Sequence, residues 1–147
     1  MSSITEVTRT SNQVHVTYDV AKVALGDNEF IEGTFTAASS TTLAEGTVFG
    51  RISATGLFKI CDKDSTDGSQ YPVGIFYNGI GGGKTIVSGT TYDITLIAKG
   101  KVNEDLLVFA SGETIASVVS DRQFRDHLGN LGIILENPVE LSAVDNS

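Results

Sequence analysis

The sequence predicts a single, mainly β domain with one short helix and an extended polar N-terminal arm. Three observations carry that expectation. Apolar residues alternate at period two in several short runs, the signature of half-buried strands. Sixteen glycines stand against two prolines, which marks many tight turns. Only one short stretch carries helix start and stop signals.

Each element has its own signal along the chain. Residues 1–13 are rich in Ser, Thr and Asn, with Ile4 and Val7 isolated among them, and read as a mobile arm. The domain is expected over residues 14–136. "VHVTYDV" places Val14, Val16, Tyr18 and Val20 on one face of a strand, and "GDNEF" reads as a turn. "IEGTFTAA" and "TTLAEGTVFGRISATGLFKIC" continue as short strands punctuated by Gly33, Gly46, Gly50 and Gly56. "DKDSTDGSQ" is a polar loop before the strand "YPVGIFYN", and a glycine loop precedes the strand "YDITLIAKGKV". Ser120 and Gln123 have capping-box spacing, Phe124 and Leu128 lie four apart, and Gly129 stands where a C-cap glycine belongs. Together they predict a helix over residues 121–128. "LGIILE" returns as a strand, and residues 137–147 form an acidic tail.

Composition excludes several function classes. A chain of 147 residues suits one domain with roughly 70% of its unfolded surface buried. Cys61 is the only cysteine, so no internal disulfide staples the fold. The first residues contain no apolar h-region, so no signal peptide is expected, and no apolar run is long enough to span a membrane. A net charge of −8 argues against nucleic acid, whose phosphates need clustered Lys and Arg. The absence of Trp and the 7% aromatic content disfavour a base- or sugar-stacking surface.

Three motifs are tempting and fail on context. "NGIGGGKT" ends like a phosphate-binding loop at Gly83, Lys84 and Thr85, but Asn78 takes the place of the first glycine. The residues after Thr85 alternate as a strand, whereas the phosphate loop needs a helix N-terminus. No nucleotide site is expected there, only a flexible connection. "DKDSTDGSQYPV" matches a calcium loop at Asp62 and Asp64, but has Asp67 where glycine is required and Val73 where a bidentate Glu is required. A solvated turn is expected, with no metal. His15 and His127, the two histidines, have no ligand partner at metal spacing, and no nucleophile stands in a recognisable catalytic setting. No cofactor and no enzyme activity are expected.

The stretch Gly46–Gly74 is more specific. With its flanking residues it carries Leu43 with Gly46-Thr47-Val48, Gly50 and Ile52, then Thr55-Gly56 and Phe58, then Asp67-Gly68-Ser69 and Val73-Gly74-Ile75. Gly100-Lys101-Val102-Asn103 comes next, and a short helical run precedes Gly132-Ile133. In order and spacing this resembles the head decoration proteins of tailed phages, the phage lambda type, over residues 30–135. Single motifs in it are weak; their succession is not. The resemblance implies a β-tulip-like, barrel-like domain that forms homotrimers at local three-fold axes outside the expanded capsid. It implies the major capsid protein as partner, a place on the outer surface of the virion after synthesis in the host cytoplasm, and a cementing role against DNA pressure. It marks Gly46, Gly50, Gly56, Asp67, Gly68, Gly74 and Gly132 as structural motif residues.

Chain physics adds a role for the arm. About twelve extended residues reach up to about 40 Å, well beyond a domain radius of gyration near 15 Å. Ile4, Val7, Thr8 and Arg9 are the expected capsid contacts, made by adding a strand to a sheet edge. The departures from the family pattern are the polar first 29 residues and the "GIGGGK" loop. Rival readings are a β-barrel that binds a small ligand or peptide, an enzyme assembled from Asp62, Asp64, Asp67 and His127, and a head-fibre or accessory capsid protein of another oligomeric state.

Overall fold

The computed structural model describes residues 22–79 and 82–137. The arm, the expected strand at 14–20 and residues 138–147 lie outside the described residues. In chain order the strands are β1 (Ala24–Thr36), β2 (Thr41–Leu43), β3 (Val48–Arg51), β4 (Phe58–Ile60), β5 (Pro72–Tyr77), β6 (Lys84–Ile86), β7 (Thr91–Asn103), β8 (Val118–Val119), β9 (Arg122–Gln123) and β10 (Ile133–Glu136). A 3-10 turn, Glu104–Leu106, comes after β7, and the helix α1 (Phe124–Leu131) lies between β9 and β10.

The main sheet runs β1-β4-β3-β5-β7-β10, and β1 also pairs back onto β7. The sheet therefore curls into a ring. β1 and β7 pair antiparallel along almost their whole lengths, whereas the ring closes between β1 and β4 through one parallel pair, Phe35 with Phe58. β10 adds to β7 in parallel, from Ile133 opposite Gly100 to Glu136 opposite Asn103. Pro72 opens β5, the strand position where a missing N–H is tolerated.

Both faces of the ring wall are buried, and neighbouring residues on each strand go to opposite sides. Phe35, Phe49, Phe58, Phe76, Ile94 and Leu96 form one cluster, to which every ring strand contributes, as the filling of a ring must. Phe35 and Phe49 meet edge to face at 5.1 Å. The next residues along the same strands, Val48, Ile75 and Ile97, join Phe124 and Leu128 of α1 on the outer side. One helix face thus covers the outside of the wall, and the β2–β6 ribbon adds Leu43 and Ile86 to the inner cluster.

Two local expectations are corrected. "GDNEF" is not a turn: Gly26–Phe30 lies within β1, opposite Lys101–Ile97, with register shifts along it. The bulge absorbs the turn-forming residues. Asp27 takes φ 52°, and Asn28 accepts from Gly26 N–H at 3.0 Å and donates to Lys101 O at 3.0 Å. The helix also runs 124–131 rather than 121–128. Ser120 and Asp121 form the two-residue turn of the β8–β9 hairpin, both at positive φ, so the capping box never forms. Backbone carbonyls replace it: Phe124 N–H donates to Ser117 O and Arg125 N–H to Ile115 O. At the other end the helix passes through Gly129 and stops at Gly132, left-handed at φ 94°.

Candidate functional site

The motif segment from Gly46 to Gly74 builds one wall of the ring and the loop pinned against it. Gly46 is the sharpest constraint. Its φ is 101°, and a Cβ there would lie 2.2 Å from the Leu106 carbonyl oxygen. Its N–H donates to Phe76 O and its carbonyl accepts from Val108 N–H, both at 2.9 Å, which ties the 105–108 segment to the ring. Gly50 lets the 67–70 loop press onto β3, since a Cβ would lie 2.1 Å from Ser69 O. Gly68 fits beside Ser53 and Arg51 O, Gly74 packs on Leu96, and Gly132 ends α1. Gly56 differs, with open space around it.

Asp67 holds the same loop from within. Its carboxylate accepts from Ser69 N–H at 3.0 Å, from the Ser69 hydroxyl at 2.5 Å and from Lys59 Nζ at 3.1 Å. These hydrogen bonds, the Ser69 hydroxyl first, lower its pKa to about 2. Asp67 is therefore committed to structure. So is His127, whose Nε2 lies 2.9 Å from Val119 O and whose ring meets Tyr71 edge-on.

The four acid–base candidates do not form one set. Asp62 and Asp64 instead meet Glu113, with one carboxylate oxygen from each within 4.8 Å of the others. Lys63 N–H donates to Glu113 Oε1 at 3.1 Å, and Asp64 N–H donates to Asp62 Oδ1 at 2.9 Å. Burial raises the Glu113 pKa and the contact with Asp62 raises it further, while the Asp64 N–H lowers that of Asp62. Glu113 is distant in sequence and carries no local signal that would have found it.

Lys84 begins β6, opposite Leu43, with its ammonium 5.3 Å from the centre of the Tyr92 ring. A strand, not a helix, comes after the glycine loop, whereas a phosphate loop leads into a helix N-terminus. Glu45 organises the near end of that loop and was invisible to motif reading: its Oε2 accepts from Asn78 N–H at 2.8 Å and from Gly79 N–H at 3.3 Å. Cys61 is fully buried. Burial, then the charges of Glu113 and Asp62, push its thiol up to about 12, which removes it as a nucleophile near neutral pH.

Two cavities flank the motif segment. One, of ≈ 400 Å³, lies among Val23, Glu45, Gly83 and Leu107. The other, of ≈ 410 Å³, lies among Phe35, Ile60, Ile86 and Phe109. Ile4, Val7, Thr8 and Arg9, the expected arm contacts, lie outside the described residues. Among the described residues no helix is long and apolar enough to cross a membrane.

A family model for bacteriophage lambda head decoration protein D matches residues 10–123, most of the chain. The curated proteins contain no significant match.

Proposed function

This chain belongs to the bacteriophage lambda head decoration protein D family, and from that premise we propose that it clamps the expanded phage head as a homotrimer at local three-fold axes. As a member it is a phage head decoration protein: a structural, non-catalytic component of the virion exterior, made in the host cytoplasm, whose partner is the capsid shell. The proposal adds the trimer, the three-fold position and a mechanical role, holding neighbouring capsid subunits against the outward pressure of packaged DNA. Nucleic acid is not a direct partner in this reading, because the net charge of −8 opposes phosphate binding.

The single observation that carries the proposal is the family match over residues 10–123. Physics supplies its energetics. Ordering an arm costs about 1–2 kcal/mol per residue in backbone entropy, so each arm contact is weak on its own. Three arms per trimer, repeated over a lattice, convert weak contacts into firm attachment through avidity. Ile4, Val7, Thr8 and Arg9 are assigned as the capsid-contacting residues of the arm, residues 1–13.

The deciding experiment mixes the purified protein with matching expanded and unexpanded capsids and monitors cosedimentation. Binding to expanded heads alone is expected, with three copies per occupied position. Equal binding to both forms removes the maturation-specific role. Deleting residues 2–13 leaves the free protein's fold and oligomer unchanged and weakens capsid occupancy at limiting concentration. Full occupancy by the deleted form means the globular domain alone carries the binding.

A further inference from the structure

The two cavities are neighbours. Thr42, Ala44 and Val108 line both, so they form one groove between the β2–β6 ribbon and the 105–110 segment. The groove begins at Val23 and continues to Phe35, Ile60 and Phe109. Its walls combine apolar side chains with threonines. Each strand of the ribbon pairs only with the other among the described strands, which leaves outward edges with backbone groups to offer.

We propose that residues 14–20 of the same chain occupy this groove as a strand, with Val14, Val16, Tyr18 and Val20 against its apolar wall. The position of the chain's entry carries the argument. Val23 is 1% exposed and lines the groove, and its carbonyl accepts from Asn103 N–H at 2.9 Å, so the chain is fixed at this point. Only Ala21 and Lys22 separate Val20 from it. Three Cα steps span at most about 11 Å, so Val20 stays beside the near end of its own chain's groove. A seven-residue strand extends about 23 Å further, enough to track the groove inward.

The chemistry of the segment agrees with that of the groove. Its four apolar residues share one face, while His15, Thr17 and Asp19 fall on the other. Docked with the apolar face inward, Asp19 points away from Glu45 and Asp105 at the groove's near end, and no like charges are buried together. The consequence reaches past capsid attachment. The strand would complete the domain and anchor the base of the arm, so that free reach begins at residue 13.

Hydrogen exchange on the full-length free protein tests this without any capsid, so its outcome is separate from that of the capsid proposal. Amides of residues 14–20 are expected to exchange about tenfold or more slowly than those of residues 2–13, unchanged across a wide dilution series. Thr42→Glu, at an exposed position on the groove wall, should erase that protection and leave the β7 amides at Leu96 and Ile97 as slow as before. Val108→Asp is the second variant and should act in the same way. Equal exchange across residues 2–20 in the unmodified chain overturns the proposal. Protection that disappears on dilution also overturns it, because the occupant is then a neighbouring copy. Protection that survives both substitutions places the segment elsewhere and overturns it as well.

Discussion

Two glycine-rich regions of this molecule use the same residue for different reasons. In the motif segment, Gly46 and Gly50 sit where another backbone passes within contact, and a Cβ would lie 2.2 Å and 2.1 Å from carbonyl oxygens. In the 78–83 loop, Gly82 has φ +75° and no atom within 4 Å of its imagined Cβ. Gly46 and Gly50 need glycine because of what lies beside them, whereas Gly56 of the same segment stands in open space and Gly83 at the end of the loop would set a Cβ 2.3 Å from Thr42 Cγ2. At Gly82 glycine serves only the path of the chain. A run of glycines is thus a poor guide to a phosphate site or to a rigid core until its neighbours are known.

Substitution should separate Gly46 from Gly82 cleanly. Gly46→Ala combines left-handed strain with collision against the Leu106 carbonyl, and should cost about 3–5 kcal/mol of stability. Urea denaturation checks it, and a loss below about 1 kcal/mol would show that the 105–108 segment yields easily. Gly82→Ala meets only the left-handed penalty and should cost about 1 kcal/mol in the same measurement. A cost equal to that of Gly46→Ala would erase the distinction.

Asp67 sharpens the comparison by pH. Its folded pKa of about 2 lies below the ordinary carboxylate value of 3.8. Its contribution is therefore complete above the unfolded value and is lost as pH falls from there through about 2. Asp67→Asn should flatten the fall in stability over that window and lower stability at neutral pH. Parallel acid-denaturation curves for the two proteins would contradict the pinned-loop account. The smallest effect is expected at Lys84. Its contact with Tyr92 is worth about 0.5–1 kcal/mol at such a site, so Lys84→Ala should lower the urea midpoint slightly and leave capsid binding unchanged. ATP binding abolished by this substitution would restore the phosphate reading of the loop.

Much of the fold is legible in the chain. The alternation around Val48-Phe49 and Ile75-Phe76 marks strands, and the succession from Gly46 to Gly74 marks the family. The misreadings have a common physical origin. Ser120 and Gln123 obey a capping rule, yet the β8–β9 hairpin claims Ser120 for its turn and the carbonyls of Ile115 and Ser117 serve the helix N-terminus. Likewise "GDNEF" has turn composition, but the long pairing with β7 folds it into a bulge. A neighbouring hairpin in the first place, and a strand distant in sequence in the second, outweighed a local preference of about 1 kcal/mol.

The sequence by itself determined the class: acidic, unstapled and mainly β with a short helix, because composition and period-two patterning decide what a chain can bury. Only the tertiary structure decided which distant groups meet. It closed the ring at Phe35 and Phe58, filled it with four phenylalanines, and brought Glu113 to Asp62 and Asp64. Local patterns say which face of an element is apolar. Contacts between residues far apart in sequence depend on how those faces pack together, and no short stretch of chain contains that information.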